Sequence, residues 1–517
     1  MSAPTSARTG PLQVAPRAGL SLALLLSINL FNYIDRQVLS AVLPKLELDA
    51  DIFRPDDPLL KFKLGWLTTA FLVSYMLVSP VFGRLADTRS RWLLVGIGVI
   101  LWSLASGGSG LAIGFVALLL TRCLVGVGEA AYGPVAPAML SDLYPERQRG
   151  RILAWFYMAI PVGSALGFVI GGLIADTSWG WRGAFQVVVL PGLILGGLCF
   201  LMKEPPRPKQ EAEQKSEPWR KVLKELGGIR SFVHCCAGMT CTTFVLGGVA
   251  AWTPYYVFER EARFRITPEA INELAELKAT DGTPAVQPVI IQRLRPLVSG
   301  DTLSSSELKT KLAESDLSED EQKQYRARIF DYVTAPGSIT LGEIGLTFGG
   351  IVVIAGLVST LFGGWLGDRL RDRTRGSYFK VCGYGALIAF PPFVAMLFVP
   401  FPYAWICVFI TVFFLFINTG PANAILANVT RHQIRATAFA INILIIHALG
   451  DAISPPLIGL VGDRASLGTA FLITSFLILA AGVLWIRGAK YLDKDTAAIS
   501  KMEMAPKANE PEALAKE

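Results

Sequence analysis

The sequence predicts an all-α membrane protein with twelve transmembrane helices. They are expected to form two pseudo-symmetric six-helix bundles, with an external insert between helices 7 and 8. Three observations support this: the composition, the apolar runs and a repeated short string. The chain has 517 residues, of which 52% are hydrophobic and only 17% are charged, and its mean hydropathy is +0.46. A water-soluble chain of this length carries more charge and less apolar surface.

The apolar runs give the number of helices. A hydrocarbon core about 30 Å thick is crossed by about 20 residues of helix. Runs of suitable length lie at 20–43, 64–85, 92–110, 113–141, 151–175, 182–202, 231–257, 340–366, 378–400, 403–428, 436–461 and 467–487. An even number of helices places both termini on one side of the membrane. Lys and Arg concentrate in the short segments of that side, which predicts cytoplasmic termini.

These runs divide the chain into domains. The predicted domains are a cytoplasmic tail (1–19), an N-terminal bundle (20–202), a cytoplasmic linker (203–230), a C-terminal bundle (231–488) and a second cytoplasmic tail (489–517). The linker begins Pro-rich and continues as a basic amphipathic segment near Trp219, which is expected to lie on the inner membrane surface. Residues 259–338 are the external, periplasmic insert, with two helical patterns. We expect a passive cap; a subdomain that hands over substrate or binds a partner is the alternative.

A Gly-x-x-x-Asp string closes every third helix. The four strings are Gly83–Asp87, Gly172–Asp176, Gly364–Asp368 and Gly459–Asp463. One string per three helices indicates four three-helix units, alternately inverted and paired into two halves. In this architecture a binding site lies at the membrane midplane between the halves, and a rocking motion exposes it to either side.

Charged residues inside the apolar runs are the candidate functional residues, because each costs about 2.5–3.5 kcal/mol on insertion scales unless it is paired or hydrated. Asp35 and Arg36 lie near the middle of helix 1, while Arg122 and Glu129 lie two turns apart on one face of helix 4. We expect Asp35 to pair with Arg122, and Arg36 and Glu129 to face the central cavity. In this hypothesis Asp35 and Glu129 are proton-coupling sites, and both arginines alternate between the carboxylates and an anionic substrate headgroup. A static ion-pair network that holds helices 1 and 4 together is the alternative.

The second half carries less charge, so the cavity should have a polar wall facing a mostly apolar one. His447 and Asp451, four residues apart on helix 11, form either a second titrating site or a structural link between helices. The candidate cavity-lining residues are Tyr33, Tyr75, Tyr132, Tyr157, Trp252, Tyr255, Asn418, Asn423, His447 and Asp451. Such a cavity suits an amphiphile with a charged head and an apolar chain.

The loop between helices 2 and 3, "GRLADTRSR" (83–91), is a candidate cytoplasmic gate. Its Asp87 is expected at the N-terminal end of helix 11, where the positive end of the helix dipole favours an anion. Arginines of the loop offer partners to Asp142, and Asp368 with Arg369 would mirror this latch in the second half. The predicted gate residues are Gly83, Arg84, Asp87, Arg91, Asp142, Asp368 and Arg369.

The same loop resembles the signature of the major facilitator superfamily. Within it, "NYIDRQVLS" (32–40), "RCLVGVGEAAYGPVAPAMLSDLYPERQRGR" (122–151) and "AIPVGSALGFVIGG" (159–172) resemble the Spinster family, whose animal members carry sphingosine-1-phosphate or lysophospholipids. The resemblance is close over helices 1 to 6 and looser in the second half, and the insert departs from it. It implies a monomeric bacterial homologue in the inner membrane.

The expected function is proton-coupled secondary active transport of an amphiphilic, lipid-like substrate of the lysophospholipid or sphingoid phosphate type, by alternating access. The alternatives are a carrier of small organic anions or drugs within the same superfamily, and a passive lipid scramblase or facilitator. No Walker, Ser-His-Asp, Cys-His or metal-binding pattern accompanies the three His residues, so we expect neither an enzyme nor a metal site. The net charge of +7 comes from Lys and Arg residues in the short segments between apolar runs, so it reflects membrane topology and does not indicate nucleic-acid binding. Protons would be the only co-substrate, without a cofactor.

Overall fold

The computed structural model describes residues 17–54, 57–204, 219–278, 284–371, 373–431 and 434–504. Within these ranges, twelve helices are long and apolar enough to cross a membrane, which confirms the predicted number; we call them spans 1 to 12. The parts of the predicted tails and linker at 1–16, 205–218 and 505–517 lie outside the described residues.

Eight spans are single helices: Ala18–Leu46 (span 1), Leu60–Thr88 (2), Arg91–Gly110 (3), Glu146–Ala175 (5), Arg230–Glu261 (7), Leu341–Arg371 (8), Ser377–Ala395 (9) and Leu467–Met504 (12).

The other four spans are interrupted. They consist of Phe115–Ala130 and Val135–Leu143 (span 4), Gly180–Val187 and Val189–Cys199 (6), Ala404–Phe416 and Thr419–Asn428 (10), and Arg435–Ile446, a π turn His447–Asp451 and Ser454–Arg464 (11). Pro134 precedes the second helix of span 4, and Pro455 opens the last helix of span 11. Proline cannot donate a backbone hydrogen bond and clashes with the preceding turn, which favours the breaks in spans 4 and 11.

The two faces of the bundle differ. Span 1 begins and span 12 ends on the same side, which we call the terminal face; the side that carries the segment between spans 7 and 8 is the insert face. The closest approaches between the halves lie toward the insert face. An added Cβ on Gly345 of span 8 would lie 2.3 Å from the Phe168 oxygen of span 5, and one on Gly65 of span 2 would lie 2.5 Å from the Pro455 backbone of span 11. Only glycine allows these backbones to meet.

The amphipathic part of the linker is a helix, Trp219–Gly228. Val222 and Leu226 are buried against the second half, with 3% and 1% exposure. The Glu225 carboxylate accepts from Nε of Arg431, in the loop after span 10, at 2.6 Å. The helix is therefore docked on the second half by one apolar face and one ion pair.

The insert is a small folded unit with its own core. Strand β1 (Arg263–Phe264) pairs antiparallel with β2 (Leu303–Ser304). Its helices are Pro268–Glu276, Pro288–Leu294, a 3₁₀ turn Arg295–Leu297, Ser305–Ala313 and Glu319–Tyr332. Ser304 and Ser318 cap the last two helices through reciprocal capping boxes. In the first of them, hydrogen bonds from the backbone N–H and hydroxyl of Ser304 lower the pKa of Glu307.

The insert contacts both halves of the bundle. Leu48, just after span 1, is buried in the insert core, and Phe258 of span 7 packs against it. Lys309 binds the carboxylate of Glu47 at 2.5 Å, and Asp331 pairs with Lys45. The Tyr255 hydroxyl of span 7 donates to the same Glu47 carboxylate. The insert thus joins the end of span 1 to the end of span 7 on the insert face.

Candidate functional site

A cavity of about 730 Å³ lies between the halves. Its first-half wall carries polar groups, among them Asn29, Asn32, Arg36 and Glu129, with several tyrosines. Its second-half wall is mostly apolar: Ala440, Ile441, Ile443 and Leu444, with His447 as the polar exception. The two walls therefore offer different chemistry to one bound molecule.

An ion pair forms the centre of the polar wall. Nε of Arg36 donates to Oε2 of Glu129 at 2.7 Å, and Nη2 lies 2.6 Å from the same oxygen. The guanidinium also lies over the rings of Tyr33, Phe71 and Tyr75, at 4.9, 4.8 and 5.3 Å from their centroids. The Glu129 side chain is 1% exposed and that of Arg36 is 20% exposed. The arginine is thus held by an aromatic cage and remains partly open to the cavity.

Asp35 lies behind this wall. It is 1% exposed, and the hydroxyl of Ser106 on span 3 donates to its Oδ1. Its Oδ2 has no hydrogen-bond partner among the described residues. Side chains at adjacent helix positions point about 100° apart. Because Arg36 points into the cavity, Asp35 points away from it, toward span 3.

The expected ion pair between Asp35 and Arg122 is not formed, and this prediction was wrong. Arg122 is 2% exposed and its guanidinium lies 5.1 Å from the ring centroid of Phe185. Its Nε and Nη2 have no acceptor within the described ranges. Arg122 is therefore a second buried charge of the first half rather than a group of the cavity wall. Leaving such buried polar groups without hydrogen bonds costs stability.

The predicted aromatic and amide residues fall into two groups. Tyr33, Tyr75, Tyr132 and Tyr157 line the cavity. Trp252, Tyr255, Asn418 and Asn423 lie elsewhere, which corrects their assignment to the cavity wall. The buried Trp252 indole donates to the Pro455 oxygen at 2.9 Å, and Tyr255 binds Glu47 at the insert face. The side-chain amides of Asn418 and Asn423 donate to carbonyls of their own span, those of Leu415 and Thr419.

His447 and Asp451 are in contact at the π turn of span 11. Nδ1 of His447 lies 2.9 Å from both carboxylate oxygens of Asp451. His447 reaches the cavity wall, whereas Asp451 packs against Gly247 of span 7, where an added Cβ would lie 2.3 Å from the Asp451 Cβ. π turns are frequent at functional sites; here the turn brings the only imidazole among the cavity-lining residues to the apolar wall.

The predicted gate at the terminal face is open. Gly83 lines the cavity, and an added Cβ there would meet no atom within 4 Å in the described part of the chain, so the expected close approach of helix 11 is absent. Nη1 of Arg91 pairs with Oδ2 of Asp142 at 2.5 Å, within the first half. Arg84 is exposed, and the side chain of Asp87 lies outside the described residues.

The corresponding part of the second half also lacks a latch to the first half among the described contacts. Asp368 accepts from the Tyr378 hydroxyl at 2.7 Å, and the Arg369 guanidinium lies 5.3 Å from the centroid of Trp365. Both contacts are within the second half.

The other two Gly-x-x-x-Asp strings close the insert face. Oδ2 of Asp176, after span 5, accepts from the backbone N–H of Gly342 at 2.8 Å. The two oxygens of Asp463 on span 11 accept from the N–H groups of Lys61 and Phe62, each at 2.8 Å. Both carboxylates lie at the first turn of a span from the opposite half, where the helix dipole favours an anion. Two inter-half latches therefore close the insert face while the terminal face is open.

Several residues of this site were missed by sequence reasoning. Ser106 and Phe71 contact the central charges, and Asn29 donates to the Phe156 oxygen at 2.7 Å. The Ser- and Gly-rich end of span 3 was a usable signal for Ser106, because small polar residues allow close helix packing and hydrogen bonds between helices. Phe71 carried no such signal, since an aromatic residue in an apolar span has no preferred direction.

The comparisons with known proteins agree with this architecture. The family model described as Major Facilitator Superfamily matches residues 25–268 and 315–511. The chain belongs to this superfamily of membrane transporters, whose members are not enzymes. Human protein spinster homolog 1 is 32% identical over 87% of this chain and 74% of its own length. Zebrafish protein spinster homolog 3 is 30% identical over 93% and 86%. Within the superfamily, the chain is a transporter of the Spinster family.

Solved structures show the same fold. The crystal structure of a bacterial homologue of the human lysosomal transporter Spinster, in an inward-facing and unoccupied conformation, superposes with a TM-score of 0.70 at 18% identity, covering 93% of this chain and 99% of that one. The D-xylose-proton symporter superposes with a TM-score of 0.59 at 16% identity, covering 90% and 96%. Residues 269–314 of the insert fall between the two matched segments of the family model.

Proposed function

We propose that the chain is a proton-coupled secondary active transporter of an amphiphilic, lipid-like molecule of the lysophospholipid or sphingoid phosphate type. It acts by alternating access in a bacterial inner membrane, with both termini cytoplasmic. The observation that carries the proposal is the cavity with a caged, partly open Arg36 on one wall and aliphatic side chains on the other. One chain encloses this cavity, which fits a monomer without a cofactor.

The headgroup would bind at Arg36. A guanidinium presents several N–H donors in a planar fork that matches a phosphate, and three aromatic rings already fix its orientation. A phosphate would replace Glu129 as the partner of Arg36. The acyl or alkyl chain would then lie along Ile441, Ile443 and Leu444.

Proton coupling follows from the same exchange of partners. When the headgroup takes Arg36, Glu129 remains as a buried charge without its counter-ion, and protonation removes the cost of that state. Asp35 lies on the adjacent position of span 1 and has one unsatisfied oxygen, so it can accept a proton when the cluster rearranges. Substrate binding and proton uptake would thereby occur in the same conformational state.

Alternating access would use the repeated strings in turn. Asp176 and Asp463 hold the insert face closed in this structure. Asp87 and Asp368 occupy the equivalent positions at the terminal face. Closing that face would require opening the two latches of the insert face, so one cavity would be exposed to one side at a time.

The proposal predicts that uptake of a labelled lysophospholipid or sphingosine phosphate into proteoliposomes depends on a pH gradient. Asp35→Asn and Glu129→Gln should each reduce gradient-driven uptake at least tenfold, because neither amide can carry the proton. Asp301→Asn, at an exposed position of the insert, is the matched control and should leave uptake unchanged.

Three other results would contradict it. Lipid movement at the same rate with and without the pH gradient, and in wild type and variants alike, would indicate a scramblase or facilitator. Gradient-driven movement of small organic anions or drugs, without lipid movement, would indicate the other class of carrier. Loss of folded protein in both variants would indicate that the charges have a structural role only.

A further inference from the structure

A second cavity, of about 580 Å³, lies at the terminal face of the second half, away from the central cavity. It is bounded by the end of span 8, the loop to span 9, the end of span 10 and the last part of span 12. Its lining includes Arg371, Arg373, Arg375, Asn428 and Asp493. We call it the arginine crevice. None of its lining residues lines the central cavity.

The charge of the crevice is unbalanced. Among the described residues, three guanidinium groups line it, against the single carboxylate of Asp493. No ion pair of Arg373 or Arg375 is found within the described ranges, although Asp493 lines the same crevice. Thr374 and Asn428 add neutral hydrogen-bonding groups. The described part of the lining thus has more positive charge than negative charge.

The loop that carries these arginines is held in place by its backbone. The N–H groups of Arg373 and Thr374 both donate to the Leu370 oxygen, at 3.1 and 2.8 Å. Gly376 has φ +64°, and an added Cβ there would lie 2.3 Å from the Ala489 oxygen of span 12. The loop is therefore pressed against span 12 at a position where only glycine fits. The arginines are presented by a fixed turn rather than by a long free loop.

We propose that the arginine crevice binds a phosphate-bearing anion at the boundary between the membrane and the solvent. Guanidinium groups bind phosphate through paired N–H donors, and basic pockets at the ends of transmembrane helices are suited to anionic lipid headgroups. The phosphate comes either from an anionic phospholipid of the adjacent leaflet or from a soluble phosphate compound. Both sources supply the charge that the lining lacks.

Two probes separate these sources in purified, full-length protein. The first probe is phosphatidylglycerol. Native mass spectrometry gives the number of phosphatidylglycerol molecules that the protein retains and their affinity, with phosphatidylcholine as the background lipid. The second is inorganic phosphate, measured as the shift in the thermal unfolding midpoint against chloride at equal ionic strength. The variant is R373Q/R375Q. The control is K278Q/R295Q, which removes the same charge from exposed positions of the insert, at the opposite face.

Each basic residue near a membrane surface contributes about fivefold to the binding of anionic lipid, so the double variant should bind phosphatidylglycerol about thirtyfold more weakly. The control should bind as the wild type does, and R373K/R375K should retain part of the affinity. Lipid binding that is lost only in R373Q/R375Q supports a lipid headgroup. A phosphate-dependent rise in the unfolding midpoint that is lost only in that variant supports a soluble anion. Equal responses of R373Q/R375Q and the control to both probes would overturn the proposal.

Discussion

Replacing Arg36 with alanine should reduce lysophospholipid uptake by roughly a hundredfold or more. The substitution leaves Glu129, 1% exposed, as a buried carboxylate without its partner, and breaking a buried pair costs about 3–5 kcal/mol. It also removes the group to which the proposed headgroup binds. The measurement is initial uptake in proteoliposomes, together with the affinity of the detergent-solubilised protein for the same labelled lipid.

Arg36→Lys separates charge from geometry. Lysine keeps the positive charge but loses the planar fork and much of the contact with the rings of Tyr33, Phe71 and Tyr75. We expect intermediate uptake, with a weaker apparent affinity and a smaller change in maximal rate. Wild-type affinity for the lipid in Arg36→Ala would show that the headgroup binds elsewhere.

Breaking the contact between the insert and span 1 should shift the protein away from the conformation with a closed insert face. The double variant Lys45→Ala/Lys309→Ala removes the two described ion pairs that join the insert to the end of span 1, Lys45–Asp331 and Lys309–Glu47. It leaves the buried Glu47 carboxylate with one cation fewer, so the closed arrangement loses stability relative to an open one. The expected change is a population shift of at least tenfold.

The shift is measured as the distance between spin labels at Arg54 and Asp301, in a chain whose native cysteines are replaced by alanine. Arg54 follows span 1 and Asp301 lies on the insert, and both are exposed. The variant should add a longer-distance population that is scarce in the parent chain. Lys311→Ala, which changes an insert lysine that bonds within the insert, is the control. Identical distance distributions in all three chains would exclude a restraining role for the insert.

The same contact should resist moderate acidification. Burial acts to raise the pKa of Glu47, but Lys309 and Arg326, with hydrogen bonds from Lys309 and Tyr255, outweigh it and hold the pKa below its usual value. A carboxyl group whose pKa is lowered in the docked state stabilises docking above its undocked pKa, about 4.3, and this stabilisation is lost as the pH falls through the lowered value. The label distances should therefore be unchanged between pH 8 and pH 5 and should lengthen only in stronger acid. Lengthening between pH 7 and pH 5.5 would assign control of docking to another group.

The sequence predicted the membrane spans well because hydropathy and length are local properties. It also identified the buried charges, since any charged residue inside an apolar run is conspicuous. The direction in which Asp35 points could not be derived in the same way. It depends on Ser106 of span 3 packing behind span 1, and a single-helix pattern does not specify which helix lies on which side.

Contacts between distant parts of the chain were the least predictable. Glu47 and Lys309 are 262 residues apart, and nothing in their local sequence joins them. Trp252 and Tyr255 were assigned to the cavity because aromatic residues often line such sites, yet both face away from it. The four Gly-x-x-x-Asp strings look alike in sequence, but two are engaged at the insert face while Gly83 faces open space. A sequence specifies all states of a transporter, whereas one structure shows one of them.

The Asp463 latch of the insert face differs from the ion pairs around it, because it does not depend on the side chains of its partners. Asp463 binds the main-chain N–H groups of Lys61 and Phe62, which every residue except proline provides. Substitution at these two positions should therefore leave the latch itself intact, whereas substitution of Asp463 should remove it. Across diverged copies of this gene, the acceptor side of the latch would stay fixed while the donor side drifts, so covariation between the two sides would be absent despite direct contact.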